Sequence, residues 1–428
     1  MKHFILFFIV PYINISVLYA QTSKQEMFDH LEKTAGVYYA YPENEIGPQI
    51  PASKGYEPFY ISHFGRHGSR YLISDDQYKV VIDLLQDAQQ KGALSALGKD
   101  VLQRLKKVWN EAEFRGGDLS PLGVRQNRGI AERMYAQFPK VFLNHTEISA
   151  QSTTVLRCAL SMDAFSERLK ELNPTLLITR EASIKYQRYL NYHTQEANAF
   201  NSSKSLWKAG YDQFENEHVH PTRLINSLFV DANYIQNMVK PKKLMFELYE
   251  IAGDMQNMET KLSFYDLFDK QELFDLWQCG NYKNYVSDAN SALNKGLMFE
   301  NAKPVLKDIL ERANKAISTN TNGAVLRFAH DGNIIPLAML LHLEDTYNSV
   351  SEPSEFYKAW SNFKVAPMAA NIQIIFFRKT GSDDIILKFL LNEKEKLVPP
   401  VKSDILPYYH WKDIEAYYKS MLTDVPKN

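Results

Sequence analysis

Cysteine is almost missing: only Cys158 and Cys279 occur in 428 residues. So few cysteines exclude a disulfide scaffold and the cysteine-rich ligand sets of structural zinc sites. Cys158 follows Arg157 in a stretch with helical spacing, so a buried free thiol is expected there, with one bridge to Cys279 left open. An excess of charge of one sign is also missing, since 49 basic side chains face 50 acidic ones for a formal net charge of −1. Nucleic-acid and membrane-surface binding normally need a basic bias, so neither partner is expected, and attraction for a polyanion must come from a local patch. No repeat of fixed period and no low-complexity tract is found, which excludes solenoids and long unstructured linkers.

A long apolar run occurs only at the start. Lys2 supplies a short basic beginning, Phe4 to Val10 an apolar core, and Leu18-Tyr19-Ala20 a cleavage site before Gln21, so residues 1–20 read as a signal peptide. Pro11 and Asn14 interrupt that run and leave it short of a membrane span. The mature protein is expected to be exported, periplasmic or secreted, without a stable membrane anchor. Its length suffices for two or three ordinary domains with a well-buried core.

The most informative residues are those at 58–70, Pro-Phe-Tyr-Ile-Ser-His-Phe-Gly-Arg-His-Gly-Ser-Arg. A short apolar strand here delivers Arg66, His67 and Arg70 into one loop, an imidazole between two permanent cations, which suits a phosphoryl group under nucleophilic attack. Far downstream, Gly323 to Ala329 reads as a second buried strand that ends in His330-Asp331-Gly332-Asn333. Two such strand ends side by side in a parallel sheet place their loops in the crevice where open α/β sheets bind ligands.

Between and after these motifs the spacing predicts further elements. Ser74 stands as a cap before a helix through Tyr78, Val81, Leu84, Leu85 and Ala88; a second helix starts near Ser95, and a third opens at Ser120 with Pro121 in its first turn. Thr146 to Ser152 reads as a strand. From about Asn173 to Asn322 the pattern is polar, aromatic-rich and helical, and then Gly323 to Ala329, Ala370 to Phe377 and Ile385 to Leu391 return to strands, with a last helix from Trp411 to Met421. The expected fold is α/β, a mostly parallel central sheet flanked by helices. Residues 21–170 and 319–428 would form that domain, with 171–318 inserted as an all-helical cap.

The Arg66-His67-Gly68-Ser69-Arg70 run, with His330-Asp331 before Asn333, resembles the histidine acid phosphatases, the large branch of the histidine phosphatase superfamily. Leu119-Ser120-Pro121-Leu122-Gly123 with Gln126 is similar to the helix that follows the first motif in that family, and Thr154 to Phe165 to its stretch with a third phosphate-binding arginine, here Arg157. The resemblance implies that His67 is a covalent nucleophile, that Arg66, Arg70, Arg157 and His330 bind the phosphate, and that Asp331 is the general acid. It also implies that no metal or organic cofactor is required. Arg70-Tyr71 and Ala370 to Phe377 look most like the multiple inositol polyphosphate phosphatases, which implies inositol polyphosphates such as phytate as substrates. Two departures limit that finer assignment: Leu72 stands where the family has proline, so the turn out of the phosphate loop is expected to differ, and His330-Asp331-Gly332 replaces His-Ala-Glu, which keeps a smaller substrate such as a sugar phosphate open. A catalytically silent phosphate-ester binding protein is the remaining alternative.

Other residues carry two readings each. Asp331 could cap a helix, since Asn333 and Pro336 mark one starting there, and Arg157 could make a structural salt bridge. His63 either packs on the strand or supports the loop, or else binds phosphate directly, and Asn333 either orients Asp331 or lines the pocket, or else caps the helix. His218-Val219-His220 would suit a metal on one strand face, but no further ligand pattern accompanies it. Trp277, Tyr282 and Tyr285 would line a cleft or fill a core, and Lys240, Lys242 and Lys243 would form an anion funnel or a solvated charge run.

Overall fold

Residues 23–202 and 205–423 are described in the computed structural model, so the expected signal peptide lies outside the described residues. The strands are β1 (Tyr56–Arg66), β2 (Glu147–Ser152), β3 (Leu177–Ala182), β4 (Gly323–Ala329), β5 (Asn371–Lys379), β6 (Ile385–Leu391), β7 (Lys394–Lys396) and β8 (Tyr409–His410). They form one sheet in the order β3-β2-β4-β1-β5-β6-β7, with β8 paired to β6. The expected α/β architecture is present. Its parallel part is the half β3-β2-β4-β1, which carries both motifs, while β1 pairs antiparallel with β5, and β5 to β8 continue antiparallel.

Register decides where the loops emerge. Arg66 stands opposite Ala329, and Ser152 opposite Phe328, so β1, β4 and β2 end at one level. The antiparallel β5 begins at that same edge, where Asn371 faces Gly65. β4 is buried along its whole length, as expected of a central parallel strand covered on both faces.

Nine helices longer than one or two turns matter for the argument: α1 (Asp76–Gln90), α2 (Ala96–Ala112), α3 (Pro121–Gln137), α4 (Leu156–Leu172), α5 (Pro241–Asp254), α6 (Lys270–Asp288), α7 (Phe299–Ser318), α8 (Asp331–Leu340) and α9 (Trp411–Thr423). Ser95 caps α2 by accepting from the Gly98 N–H at 3.0 Å, and Ser120 caps α3 by accepting from Gly123, as their sequences indicate. Each such cap contributes about 1 kcal/mol. Ser74 does not cap α1. The N-cap is Asp75, whose carboxylate instead binds the N–H groups of Phe114 and Gly116, both at 2.9 Å, and ties the turn after α2 to the start of α1.

Alternation along β1 sends Ile61 to one face and Tyr60 and Phe64 to the other. Ile61 joins Ile130 of α3 and Phe165 of α4 in one core. Tyr60 and Phe64 join a larger cluster running continuously from α1 and α2 through α5, α6 and α7 to the sheet. The division expected around 171–318 is therefore not marked by any break in that cluster. That segment also opens with β3 rather than being helical throughout. As an edge strand with most of its residues exposed, Leu-Ile-Thr-Arg-Glu-Ala has no apolar alternation to reveal it.

Candidate active site

The loop after β1 is held by backbone bonds from three directions. Arg66 N–H donates to Ala370 O at 2.7 Å, His67 N–H to Ala329 O at 3.0 Å, and Ala369 N–H to His67 O at 2.9 Å. Ala369 adopts a φ of 56°, a strained conformation for a residue with a Cβ, in order to make that last bond. Gly68 and Gly123 permit the loop to lie directly on the first turn of α3: a Cβ on Gly68 would sit 2.5 Å from Gly123 O, and one on Gly123 would sit 2.2 Å from Ser69 O. Side chains complete the clamp. Gly68 N–H donates to Ser161 Oγ, Ser69 N–H to Gln126 Oε1, and the Ser69 hydroxyl to Asn257 Oδ1 at 2.7 Å.

His67 is 1 % exposed, and its Nδ1 lies 2.9 Å from Gly68 O. Donation from Nδ1 to that carbonyl leaves the Nε2 lone pair free. Burial, followed by the charges of Arg66, Arg70 and Arg157, holds its pKa well below the usual value, so the imidazole is neutral. Arg66 is fixed through Nη1 to Val37 O at 2.5 Å and Ala366 O at 2.8 Å. The Val37 carbonyl reaches it because Gly36 turns at φ 61°, where a Cβ would meet the Asn362 amide at 2.9 Å. Arg70 donates to Tyr71 O and to the Tyr38 hydroxyl, with its guanidinium 4.8 Å from the centre of the Tyr38 ring. Arg157 rises from the first turn of α4. The Nε atoms of Arg66, Arg70 and Arg157 are all buried without a protein acceptor. Orphaned donors are costly, and three guanidinium forks around one imidazole are a donor set for a tetrahedral oxyanion.

From the neighbouring strand end, the His330 ring centre lies 5.7 Å from that of His67. Its Nε2 is 3.3 Å from Thr153 Oγ1, and burial with the adjacent arginines lowers its pKa to about 4. Asp331 stands in the first turn of α8 with Oδ2 3.3 Å from Arg66 Nη2. Burial alone would raise its pKa, but Arg66, Arg70 and His330 outweigh that and hold it below the ordinary carboxylate value. The structure thus brings together His67, Arg66, Arg70, Arg157, His330 and Asp331 at one edge of the sheet.

Other expected residues fall elsewhere. His63 lies between the rings of Phe165 and Phe328, at 5.3 and 5.2 Å, and burial pushes its pKa down to about 3; it underlies Gly65 rather than reaching the loop's donors. Asn333 is buried on α8 with Oδ1 unpartnered. His218 stacks on Phe214 and bonds its carbonyl, while Trp277, Tyr282 and Tyr285 are core residues. Lys242 and Lys243 pair with Glu215 and Glu247 at the start of α5, about 20 Å along the helix from the end that meets the loop, so they are a solvated charge run and not a funnel. Cys158 and Cys279 are both free and buried; burial raises the Cys158 thiol to about 11.

The sequence reading missed Tyr38, Tyr78, Asp254 and Asn257. Leu72 N–H donates to the Tyr78 hydroxyl at 2.9 Å, which donates to Asp254 Oδ2 at 2.5 Å, and Asn257 Nδ2 lies 3.4 Å from Asp254 Oδ1. A proline at position 72 has no N–H to give. The loop here is braced by a hydrogen-bond relay into α5, and burial raises the pKa of Asp254 to about 7.

Comparison with known proteins identifies the family and the fold. The profile of the histidine phosphatase superfamily (branch 2) matches residues 64–392. Multiple inositol polyphosphate phosphatase 1 of Gallus gallus is 21 % identical over 415 residues, covering 88 % of this chain and 85 % of that protein. The fold is shared with the Bifidobacterium longum multiple inositol polyphosphate phosphatase in complex with phosphate (TM-score 0.74, 18 % identity, 92 % of this chain and 97 % of that one). It is also shared with the phytase from D. castellii (TM-score 0.67, 16 % identity, 92 % and 85 %). With the family profile running from the end of β1 through both loops and β4, the chain belongs to the histidine phosphatase superfamily, branch 2, and is a phosphoric monoester hydrolase.

Proposed function

We propose that the protein is exported and hydrolyses inositol polyphosphates such as phytate, one phosphate at a time, through a phosphohistidine at His67. The observation that carries the reading is a buried, neutral imidazole surrounded by three arginines whose Nε donors have no protein acceptor. His67 Nε2 forms a bond to phosphorus as the ester P–O bond breaks, and Asp331 gives its proton to the departing oxygen. Water then attacks the phosphoryl group, the Asp331 carboxylate takes up a proton, and the N–P bond breaks. Arg66, Arg70, Arg157 and His330 spread the charge on the equatorial oxygens. A phosphate dianion that engages Arg66 and Arg70 adds negative charge beside Asp331, raising its proton affinity and arming it as the acid.

The substrate class is supported by relatives named for inositol polyphosphates and by a Bifidobacterium longum relative whose structure holds inositol hexasulfate. Local cations support it too. Arg115 donates to the Tyr71 hydroxyl at 2.7 Å beside the loop. Lys185 and Arg188 sit on the short helix Ile184–Leu190, whose Gln187 bonds Thr154 near Arg157. Among the described residues no helix is long and apolar enough to cross a membrane.

Catalytic efficiencies for phytate and glucose 1-phosphate across a salt series test the assignment. A preference for phytate that weakens as salt rises is expected, because surface cations gripping the non-reacting phosphates are screened. A better efficiency with glucose 1-phosphate at low ionic strength would replace this reading with a sugar phosphatase.

A further inference from the structure

Asp288 is the last residue of α6, a position where a carboxylate meets the negative end of the helix dipole and is disfavoured. Among the described residues the groups acting on it are Ser287, Asn284 and Asp331, none of them a cation. The Ser287 hydroxyl donates to Oδ2 at 2.7 Å. Oδ1 lies 3.7 Å from where a Cβ on Gly332 would stand, an ordinary contact distance that places this carboxyl against the residue following Asp331.

The placement of α6 is rigid. One stripe of the helix, Trp277, Asn281 and Asn284, is bonded to residues 360–362: Trp277 Nε1 donates to Asn362 Oδ1 at 2.8 Å, Asn281 Nδ2 to Trp360 O at 3.0 Å, and Asn362 Nδ2 to Asn284 Oδ1 at 3.0 Å. The same segment continues to Ala366, whose carbonyl holds Arg66. Asp288 is the next residue of that stripe, four positions after Asn284. One scaffold therefore positions the arginine that pairs with Asp331 and the second carboxyl beside it.

We propose that Asp288 is a positioning residue that acts through Asp331: the two neighbouring carboxyls titrate as a coupled pair, and the charge of Asp288 keeps Asp331 protonated until the ester bond breaks. This rests on the phosphatase reading above. The charges facing Asp331 are Arg66 from β1, Arg70 from the loop, Arg157 from α4 and His330 from the end of β4. Arg66 ion-pairs with Asp331, so a single proton in the resting pair resides on Asp288, whose pKa burial and then Asp331 raise to about 6. Once a phosphate dianion occupies the arginines, their hold on Asp331 is offset, and the neighbouring carboxylate raises the proton affinity of Asp331.

The test is the pH dependence of kcat on an alkyl phosphate and on p-nitrophenyl phosphate for wild type, Asp288→Asn and Asp288→Glu. Removing the like charge lets Asp331 lose its proton earlier, so the alkaline limb for the alkyl ester is expected to move toward acid by about one pH unit in Asp288→Asn. It should return in Asp288→Glu and stay in place for p-nitrophenyl phosphate, whose phenolate needs little protonation. Coincident limbs for wild type and Asp288→Asn, with melting temperatures unchanged, overturn the pairing. If Asp288→Asn does not fold, Asp288→Ser is measured by the same criterion. In an Asp331→Asn background the Asp288 substitution should have no further effect; an undiminished effect there also overturns it. A wild type that turns over neither ester instead overturns the phosphatase reading.

Discussion

His67→Ala is expected to lower kcat about 10⁴-fold or more, the scale on which removal of a covalent nucleophile acts. In free energy this is about 5 kcal/mol of transition-state stabilisation. No neighbouring side chain can substitute. The ring of His330 is centred 5.7 Å away and its Nε2 is engaged by Thr153, and the Cys158 thiol stays protonated because burial raises its pKa. The loop should survive the change, since it is held by main-chain bonds to Ala329, Ala369 and Ala370 and by Ser161, Gln126 and Asn257, none of which uses the imidazole. Circular dichroism and thermal melting close to wild type, with activity near background, is the expected result. Retention of more than a few per cent of activity would refute covalent catalysis at this residue.

Asp331→Asn should divide substrates by leaving group. For alkyl phosphates, including phytate, the departing alkoxide needs a proton, and loss of a positioned acid costs about 10²- to 10⁴-fold. For p-nitrophenyl phosphate the loss should be at least tenfold smaller. The asparagine also removes the ion pair with Arg66, leaving that guanidinium freer for phosphate, so KM should not rise. Equal losses in kcat on both substrates would show that Asp331 acts in binding or folding and not as an acid.

The candidate site was legible as a cluster because its residues are concentrated in two short runs, each at the end of an apolar strand. Residues 58–70 and 323–333 carry five of the six groups, and a parallel sheet leaves few ways to place those strand ends apart. Arg157 was singled out only by resemblance, since an arginine in a first helical turn has no local mark of the role proposed for it. The supporting groups had no signal. The carbonyls of Val37 and Ala366 that fix Arg66 are main-chain atoms from segments distant in the chain, and Asp254, Asn257 and Asp288 sit at helix ends that polar composition alone does not distinguish from solvated surface. The edges of the sheet were hidden for another reason. β3 is a half-exposed edge strand, and β7 and β8 span three and two residues, too short to establish a period. The Leu72 departure shows the opposite case, where one missing residue type pointed to a real difference: its N–H feeds the Tyr78–Asp254 brace.

Phosphohistidine formation is the central claim, and trapping it tests that claim most directly. Turnover of a radiolabelled phosphate ester by the wild type is quenched rapidly into alkali, and the labelled peptide is mapped by mass spectrometry. The expected result is label on the peptide containing His67, stable in alkali, lost in acid, and absent from His67→Ala. Label on another residue, or steady turnover with no label at any quench time, would contradict it.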